Sequence, residues 1–288
     1  IETGLFHRFD ATNILNQNLA SVITSIGLDH LDWLPKNEQT VDKIIFEKTS
    51  RLLNSNIIVA KQSSNEILEQ IKKTIKDNKS KKLFFSEDYS YSENENNFFY
   101  YEDVYGGIKL PSPNVNGQFQ LENISTAIAT LRVVKEININ NAHINNGITK
   151  IESIARLQEI TQGKLKDLVK ENKLLIDGSH NPLGAKVLND YLESLNCNIH
   201  IILGMMANKD HLDYISYFKG IATLTTIDIP NQPNSIGGKD LKNKLNNLKN
   251  VQYKENIFEA IKSIPVKKND LILITGSLYL AGEVLNLN

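Results

Sequence analysis

Lys173-Leu174-Leu175-Ile176-Asp177-Gly178-Ser179-His180-Asn181-Pro182-Leu183-Gly184 opens as a short apolar strand and ends as the start of a helix. The acid, Gly, His and Asn fall at the strand's C-terminal end. Pro182 suits a first helical position, and Asn181 suits the N-cap before it. In open α/β sheets, ligands bind beyond the carboxyl ends of strands, beside helix N-termini. The junction therefore reads as a site. The plainer reading is a capped strand–helix turn carrying an incidental His.

Working outward, strand and helix patterns alternate on the C-terminal side. Strands are expected at 173–177, 199–204, 222–229, 250–254 and 270–276, with helical patterns such as 182–195 and 257–264 between them. Such alternation predicts a doubly wound parallel sheet. On the N-terminal side a strand is expected at 18–26, a helix at 40–54, a strand at 56–60 and a helix at 64–77. Residues 82–110, rich in Phe and Tyr, read as a β-hairpin or small sheet with a polar loop at 92–97. Helices are expected at 119–135 and 141–153. The polar run 161–166 reads as a hinge. The domains are thus expected at 1–157, with a small β-rich insertion near 82–118, and at 158–288.

The chain's 288 residues suffice for about two domains. The net charge of −1 marks no nucleic-acid surface, and no apolar run is long enough to span a bilayer. Cys197 is the only cysteine, so no disulfide forms within the chain. There is no secretory signal pattern, and a cytoplasmic location is expected. No G-x-x-x-x-G-K-[ST] run occurs; Gly163-Lys164 and Gly238-Lys239 lack its other residues.

Two further stretches carry the same residue types as the opening run. Thr24-Ser25-Ile26-Gly27-Leu28-Asp29-His30-Leu31-Asp32-Trp33-Leu34 ends an apolar strand in Asp and His. Upstream lies Glu2-Thr3-Gly4-Leu5-Phe6-His7-Arg8-Phe9-Asp10-Ala11-Thr12-Asn13. With Glu47-Lys48 and the Asp177–Pro182 run, these resemble the folylpolyglutamate synthase/dihydrofolate synthase family of the Mur ligase superfamily. Its patterns are E-x-G-L-G-G-R-x-D-A-T-N, I-G-L-D-H-x-D-W-L-G, E-K-A-G-I and D-G-A-H-N-P. Several ordered blocks across nearly the whole chain make the match specific.

The resemblance implies an α/β fold: an incomplete P-loop-type central domain, then a Rossmann-like C-terminal domain that takes glutamate. It implies an ATP-dependent ligase that joins L-glutamate to a folate or dihydropteroate carboxylate through an acyl phosphate, in a cleft between the domains. ATP and Mg²⁺ are the expected cofactors, and a monomer the expected state. Glu2 and His30 are implied as metal ligands. Lys48, which shares a stripe with Val41, Ile45 and Leu52, is implied as a catalytic lysine, commonly carbamylated in the family. Asn123, Arg156 and Asp177 are implied at the nucleotide. His180 is implied near the incoming glutamate and in catalysis, and Ser277 at the glutamate. Gly204–Asp210 is read as a loop beside the same cleft, and Asp29 and Asp32 as structural turn residues.

Each role has a plainer counterpart. A lone His30 would read as a capping or core histidine, which the flanking G-L-D-H-x-D-W-L run argues against, and Lys48 as a snorkelling side chain. Asn123 reads as a helix cap, Arg156 as a solvated surface residue, and Ser277 as an ST-turn. The sequence also departs from the family. Phe6-His7 replace Gly-Gly, Thr49-Ser50 replace Ala-Gly, and Ser153-Ile154-Ala155 replace the Trp-Pro-Gly of W-P-G-R. The chain begins at Ile1, close to a motif, and the family's phosphate loop would precede it. Expected from this is a truncated chain, inactive alone and in need of a separate N-terminal fragment. The competing expectation is a non-catalytic remnant or nucleotide-binding fragment. A peptidoglycan-type Mur ligase fits D-A-T-N and G-L-D-H-x-D-W-L less well. The acceptor, dihydropteroate or folylpolyglutamate, stays open.

Overall fold

The computed structural model describes residues 1–94, 98–248 and 250–288. The chain divides into two compact units, residues 1–114 with 118–151 and residues 115–117 with 152–288.

In the first unit three parallel strands lie side by side: β1 (Ala20–Ile23), β2 (Asn56–Val59) and β3 (Lys81–Phe84), in the order β1-β2-β3. Helices α1 (Val41–Thr49) and α2 (Asn65–Thr74) connect them. Both helices begin on hydroxyl caps. Thr40 accepts from Lys43 N and Ser64 from Ile67 N, satisfying backbone donors a helix start leaves open. Ile44, Ile45 and Ile71 from the helices pack with Ile23, Ile57 and Val59 from the strands, all buried. Strands β4 (Tyr89–Asn94), β5 (Phe98–Asp103) and β6 (Ile108–Pro111) form an antiparallel meander. Helices α3 (Gln118–Val133) and α4 (Asn141–Ile148) follow.

The second unit contains, in chain order, β7 (Gln158–Glu159), α5 (Lys164–Val169), β8 (Lys173–Ile176), α6 (Pro182–Glu193), β9 (Ile199–Leu203), α7 (His211–Ser216), β10 (Thr223–Ile227), α8 (Gly238–Lys244), β11 (Val251–Lys254), α9 (Ile257–Ser263), β12 (Leu271–Thr275) and α10 (Leu278–Leu287). The sheet order is β11-β10-β9-β12-β8-β7, parallel except for β7. Strands β8, β9 and β12 are predominantly apolar, broken within only by His200, because both faces are covered. Leu174, Ile176, Ile272 and Ile274 pack with α5, α9 and α10 through Leu165, Ile261 and Val284. Leu175, Ile201 and Leu273 alternate onto the other face and are equally buried. From β8 the chain crosses to β9, runs outward to β11, and returns to insert β12 between β9 and β8. That reversal is where an open α/β sheet leaves a crevice at its C-terminal edge.

Several expected elements differ in detail. Lys81–Phe84 joins the parallel sheet, so the region 82–110 is not one β unit. Ser92 and Glu93 belong to β4 and pair with Tyr100 and Phe99, so the polar loop expected at 92–97 begins later; residues 95–97 lie outside the described residues. The 161–166 bridge is not wholly a linker, because Lys164 starts α5. Residues 158–159 pair with β8, which their polar composition conceals. The units divide at 151/152, ahead of the expected 157/158, because residues 155–160 bond to β8 and the segment following it. Among the described residues no helix is long and apolar enough to cross a membrane.

Candidate functional site

The residues singled out in the first unit line one open hollow of about 1090 Å³. Glu2, His30, Lys48 and Asn123 all contribute to its wall, with Thr126 and Thr130 of α3. Thr12 and Asn13 of the D-A-T-N turn line it as well. Asp10 accepts from Thr12 N at 2.8 Å, Thr12 Oγ1 at 2.6 Å and Gly4 N at 2.9 Å, and these bonds hold its carboxyl below the ordinary range. The segment carrying Glu2 is thereby tied to the turn.

His30 adopts left-handed backbone with φ 57° and opens a short helical turn. Its Nε2 lies 3.7 Å from Asp29 Oδ2. Lys48 is half-buried on α1 and donates to Leu5 O at 3.0 Å. Burial pushes its ammonium down in pKa, against a smaller opposing effect of Asp29. The Phe6 ring meets both residues. It stands edge-on to His30 at 6.3 Å, and its centroid is 5.7 Å from Lys48 Nζ. Asn123 lies inside α3, not at its cap, and its Nδ2 donates to Gln120 Oε1 at 3.3 Å.

One pair in this unit escaped the sequence reading. Arg8 donates bidentately to Glu47, Nε to Oε2 at 2.6 Å and Nη2 to Oε1 at 2.8 Å. Glu47 is buried, and Lys43 reaches it at 3.3 Å. The Arg8 bond holds the Glu47 carboxyl low against the cost of burial. The fork fixes the first motif on the helix that carries Lys48. Both residues stand in quoted motifs, but nothing in either motif says that they touch.

In the second unit the candidates gather at the C-terminal ends of β8 and β12. Asn181 caps α6 by accepting from Gly184 N at 2.8 Å, with Pro182 at the first helical position. His180 precedes the cap, half-buried, with Nδ1 3.3 Å from Gly178 O. Ser277 caps α10 and accepts from Tyr279 N at 3.1 Å, so the ST-turn is present. Gly276 before it has φ 106°, and a Cβ there would lie 2.7 Å from Gly204 O. Only glycine fits where the β12 and β9 ends approach so closely. Gly204, Gly276 and Asp177 bring the ends of three adjacent strands together.

Asp177 is buried, and each carboxylate oxygen accepts a backbone N–H: Leu157 N at 2.9 Å and Ser179 N at 2.8 Å. Arg156 is exposed on the neighbouring turn. A Cβ on Gly178 would lie 3.1 Å from Arg156 Nη1 and 2.2 Å from Leu278 Cδ2, so Gly178 leaves room for both side chains. Ser179 hydrogen-bonds with Tyr214 Oη at 3.0 Å, and Tyr214 Oη with Thr275 Oγ1 at 2.8 Å. This buried hydroxyl cluster was not visible in the sequence. In the 204–210 loop, Asp210 caps α7, and the buried His211 side chain at the start of that helix reaches Met206 O at 3.0 Å.

Residues 155–278 match the family described as Mur ligase, glutamate ligase domain. The chain is 25% identical over 300 residues to a probable dihydrofolate synthetase of Schizosaccharomyces pombe, covering 99% of this chain and 69% of that protein. It is 26% identical over 294 residues to a dihydrofolate synthase/folylpolyglutamate synthase of Bacillus subtilis, covering 98% and 65% respectively. Among solved structures, Escherichia coli FolC in complex with ADP, without folate substrate, superposes with a TM-score of 0.82 at 24% identity, over 99% of this chain and 65% of that one. The Yersinia pestis bifunctional folylpolyglutamate synthase/dihydrofolate synthase complexed with AMPPNP and Mn ion gives 0.81 at 20%, over 99% and 64%. The chain thus spans about two thirds of the length of these proteins. At these identities the structural matches establish the fold. The match to the Mur ligase glutamate ligase domain thus falls on residues 155–278, and the chain is similar over nearly its whole length to dihydrofolate synthase/folylpolyglutamate synthases.

Proposed function

We propose that this chain supplies the nucleotide, metal and glutamate sites of an ATP-dependent ligase that joins L-glutamate to a folate or dihydropteroate carboxylate. The carboxylate takes the γ-phosphoryl group of ATP and becomes an acyl phosphate. The glutamate amine attacks that carbonyl and phosphate leaves, so ATP, acid and amine yield ADP, phosphate and amide. Chemistry of this type rests on positioning and on offsetting phosphate charge. In this reading the first unit holds the metal and the adenine, and the second holds the glutamate and supplies Arg156 to phosphate oxygens. The observation that carries the reading is the gathering of Arg156, Asp177, His180 and Ser277 at the C-terminal ends of the adjacent strands β8 and β12, in a chain with these homologues.

In this reading Arg156 binds phosphate oxygens with its planar fork. Asn123, on the wall of the hollow, suits an adenine edge, since an amide both donates and accepts. His180 and Ser277 hold and orient the glutamate. Among the described residues no group of three His, Cys, Asp or Glu side chains gathers. Glu2 and His30, on one hollow wall, fit a Mg²⁺ that keeps waters and phosphate oxygens for its other positions. Bound there, the ion would offset phosphate charge. Lys48, with its lowered pKa, is the amine available for carbamylation.

One observation favours a second reading, binding without turnover. The Phe6 ring lies close to both His30 and Lys48 where the family pattern has glycine. ADP release dependent on glutamate and folate separates the two. The 288 residues contain no phosphate loop, whose N–H groups and Lys cradle phosphates. The polypeptide alone is therefore expected to bind ATP weakly and to release no ADP above a no-enzyme blank. Joined to a relative's phosphate-loop segment, it is expected to turn over. A joined chain that binds ATP and stays inert supports the second reading.

A further inference from the structure

His180 and Ser277 stand on different strand ends, His180 after β8 and Ser277 after β12. The two strands stay bonded as far as Asp177 N, which donates to Ile274 O at 2.9 Å. Beyond that bond their backbones turn to other partners. Gly178 N donates to Ala155 O at 2.8 Å, and Thr275 O accepts from Gly204 N at 3.2 Å. A glycine stands at each departure, Gly178 before Ser179 and Gly276 before Ser277, and glycine leaves a chain its widest choice of path. A hydroxyl cluster spans the parting. Tyr214, wholly buried on α7, shares one oxygen between Ser179 Oγ at 3.0 Å and Thr275 Oγ1 at 2.8 Å. Ser179 immediately precedes His180, and Thr275 lies just before Gly276-Ser277. Without the phenol oxygen, the cluster keeps only the 3.5 Å contact of Ser179 with Thr275, at the outer limit of a hydrogen bond.

We propose that Tyr214 is a positioning residue for glutamate, setting the spacing of His180 and Ser277 through the strand ends that carry them. The proposal rests on His180 and Ser277 holding glutamate, as set out above. A phenol oxygen donates one hydrogen bond and accepts others, so Tyr214 can serve both strand ends at once. The bonds lie out of water, where they are stiff and costly to break. The Phe218 ring, tilted against the phenol with centroids 5.4 Å apart, packs on it from the same region of the chain. Tyr214 is too enclosed to touch a ligand, so it acts only through its neighbours. Glutamate carries an ammonium and two carboxylates, and groups that hold such a ligand must keep fixed distances from one another. Their rotamers and backbones are held by the shell behind them. The hydroxyl cluster is that shell for the ends of β8 and β12.

The test is L-glutamate affinity of the 288-residue chain, read from amide shifts of the isotope-labelled protein in NMR titrations. Tyr214→Phe is expected to weaken binding about fivefold. Thr275→Val, which keeps the shape and removes the hydroxyl, is expected to weaken it about as much, and Thr275→Ser, which keeps the hydroxyl, less than about twofold. Ile261→Val trims the core of the same unit on α9 and controls for general loosening; it is expected to change affinity less than about twofold. Unchanged affinity in Tyr214→Phe and Thr275→Val overturns the proposal. An equal loss in Ile261→Val overturns it too, since any loosening of the unit would then weaken glutamate. Should Tyr214→Phe fail to fold, the Thr275→Val and Thr275→Ser pair decides, and equal affinities overturn the proposal. His180→Ala tests the reading beneath it. A wild-type chain that binds no L-glutamate, or a His180→Ala chain that binds it as tightly as wild type, defeats the glutamate reading itself, and the proposal falls with it.

Discussion

At the scale of single residues, the bidentate Arg8–Glu47 pair is what holds the Lys48 helix to the first motif. Removing Arg8 leaves a buried carboxylate with Lys43 as its remaining ion partner. Arg8→Met is expected to lower the melting temperature at neutral pH. Because the Arg8 bond depresses the Glu47 pKa, the stability it contributes is complete above the ordinary value of 4.5. It is lost as pH falls through the depressed folded value. Melting curves of Arg8→Met and wild type should therefore converge as the pH is taken below 4.5. A difference independent of pH would assign the loss to packing against Phe9 and Phe46, whose rings the Arg8 guanidinium overlies. The sequence named Lys48 and passed over its neighbour, because the partners lie 39 residues apart and each pattern reads locally. Asn123 shows the opposite case. Its plainer reading as a cap disappears once α3 is seen to start at Gln118.

At the scale of elements, the junction after β8 was legible in detail. The Asn181 cap, Pro182 at the first turn and the strand before them follow from local rules. What braces the junction was not legible, because it comes from α7 and β12, far along the chain. Tyr214 is fully buried, and its hydroxyl joins Ser179 at the end of β8 to Thr275 at the end of β12. Burial pushes the phenol's pKa up, so it stays protonated and bonded throughout the working range. Tyr214→Phe leaves the Ser179 and Thr275 hydroxyls only their long mutual contact of 3.5 Å, and is expected to cost about 1–3 kcal/mol in denaturant unfolding. Ser179→Ala leaves the Tyr214–Thr275 bond intact and is expected to cost less. An equal or larger loss for Ser179→Ala would show that Tyr214 is not the centre of the cluster. Ser179 stands where the family pattern has Ala, a departure the hydroxyl cluster accounts for.

At the scale of the whole molecule, each unit encloses its own buried cluster, one around Ile44, Ile57 and Ile71, the other around Leu174, Ile202 and Ile274. Alternating strand and helix patterns made the second unit's sheet readable, although its order, with β12 inserted between β9 and β8, is a tertiary fact no local pattern states. A fragment of residues 152–288 is expected to unfold cooperatively on its own, since its core draws only on its own elements. Gradual, non-cooperative melting of that fragment would contradict this. Residues 115–117 belong to the same unit and add one bond, Asn116 Nδ2 to Leu157 O at 3.0 Å, so including them should raise stability slightly.

The proposed division of labour gives the metal and the adenine to the first unit, and the glutamate to the second, which also supplies Arg156 to phosphate oxygens. His30 and His180 stand for the two halves. Steady-state ADP release by the chain joined to a phosphate-loop segment, with Mg²⁺, ATP and glutamate varied separately, tests it most directly. His30→Ala is expected to raise the Mg²⁺ requirement. His180→Ala is expected to raise the glutamate KM more than the ATP KM, with transition-state stabilisation falling by about 2–4 kcal/mol in each case. Full activity of both variants, or a His180→Ala variant that affects ATP and leaves glutamate untouched, would contradict the account.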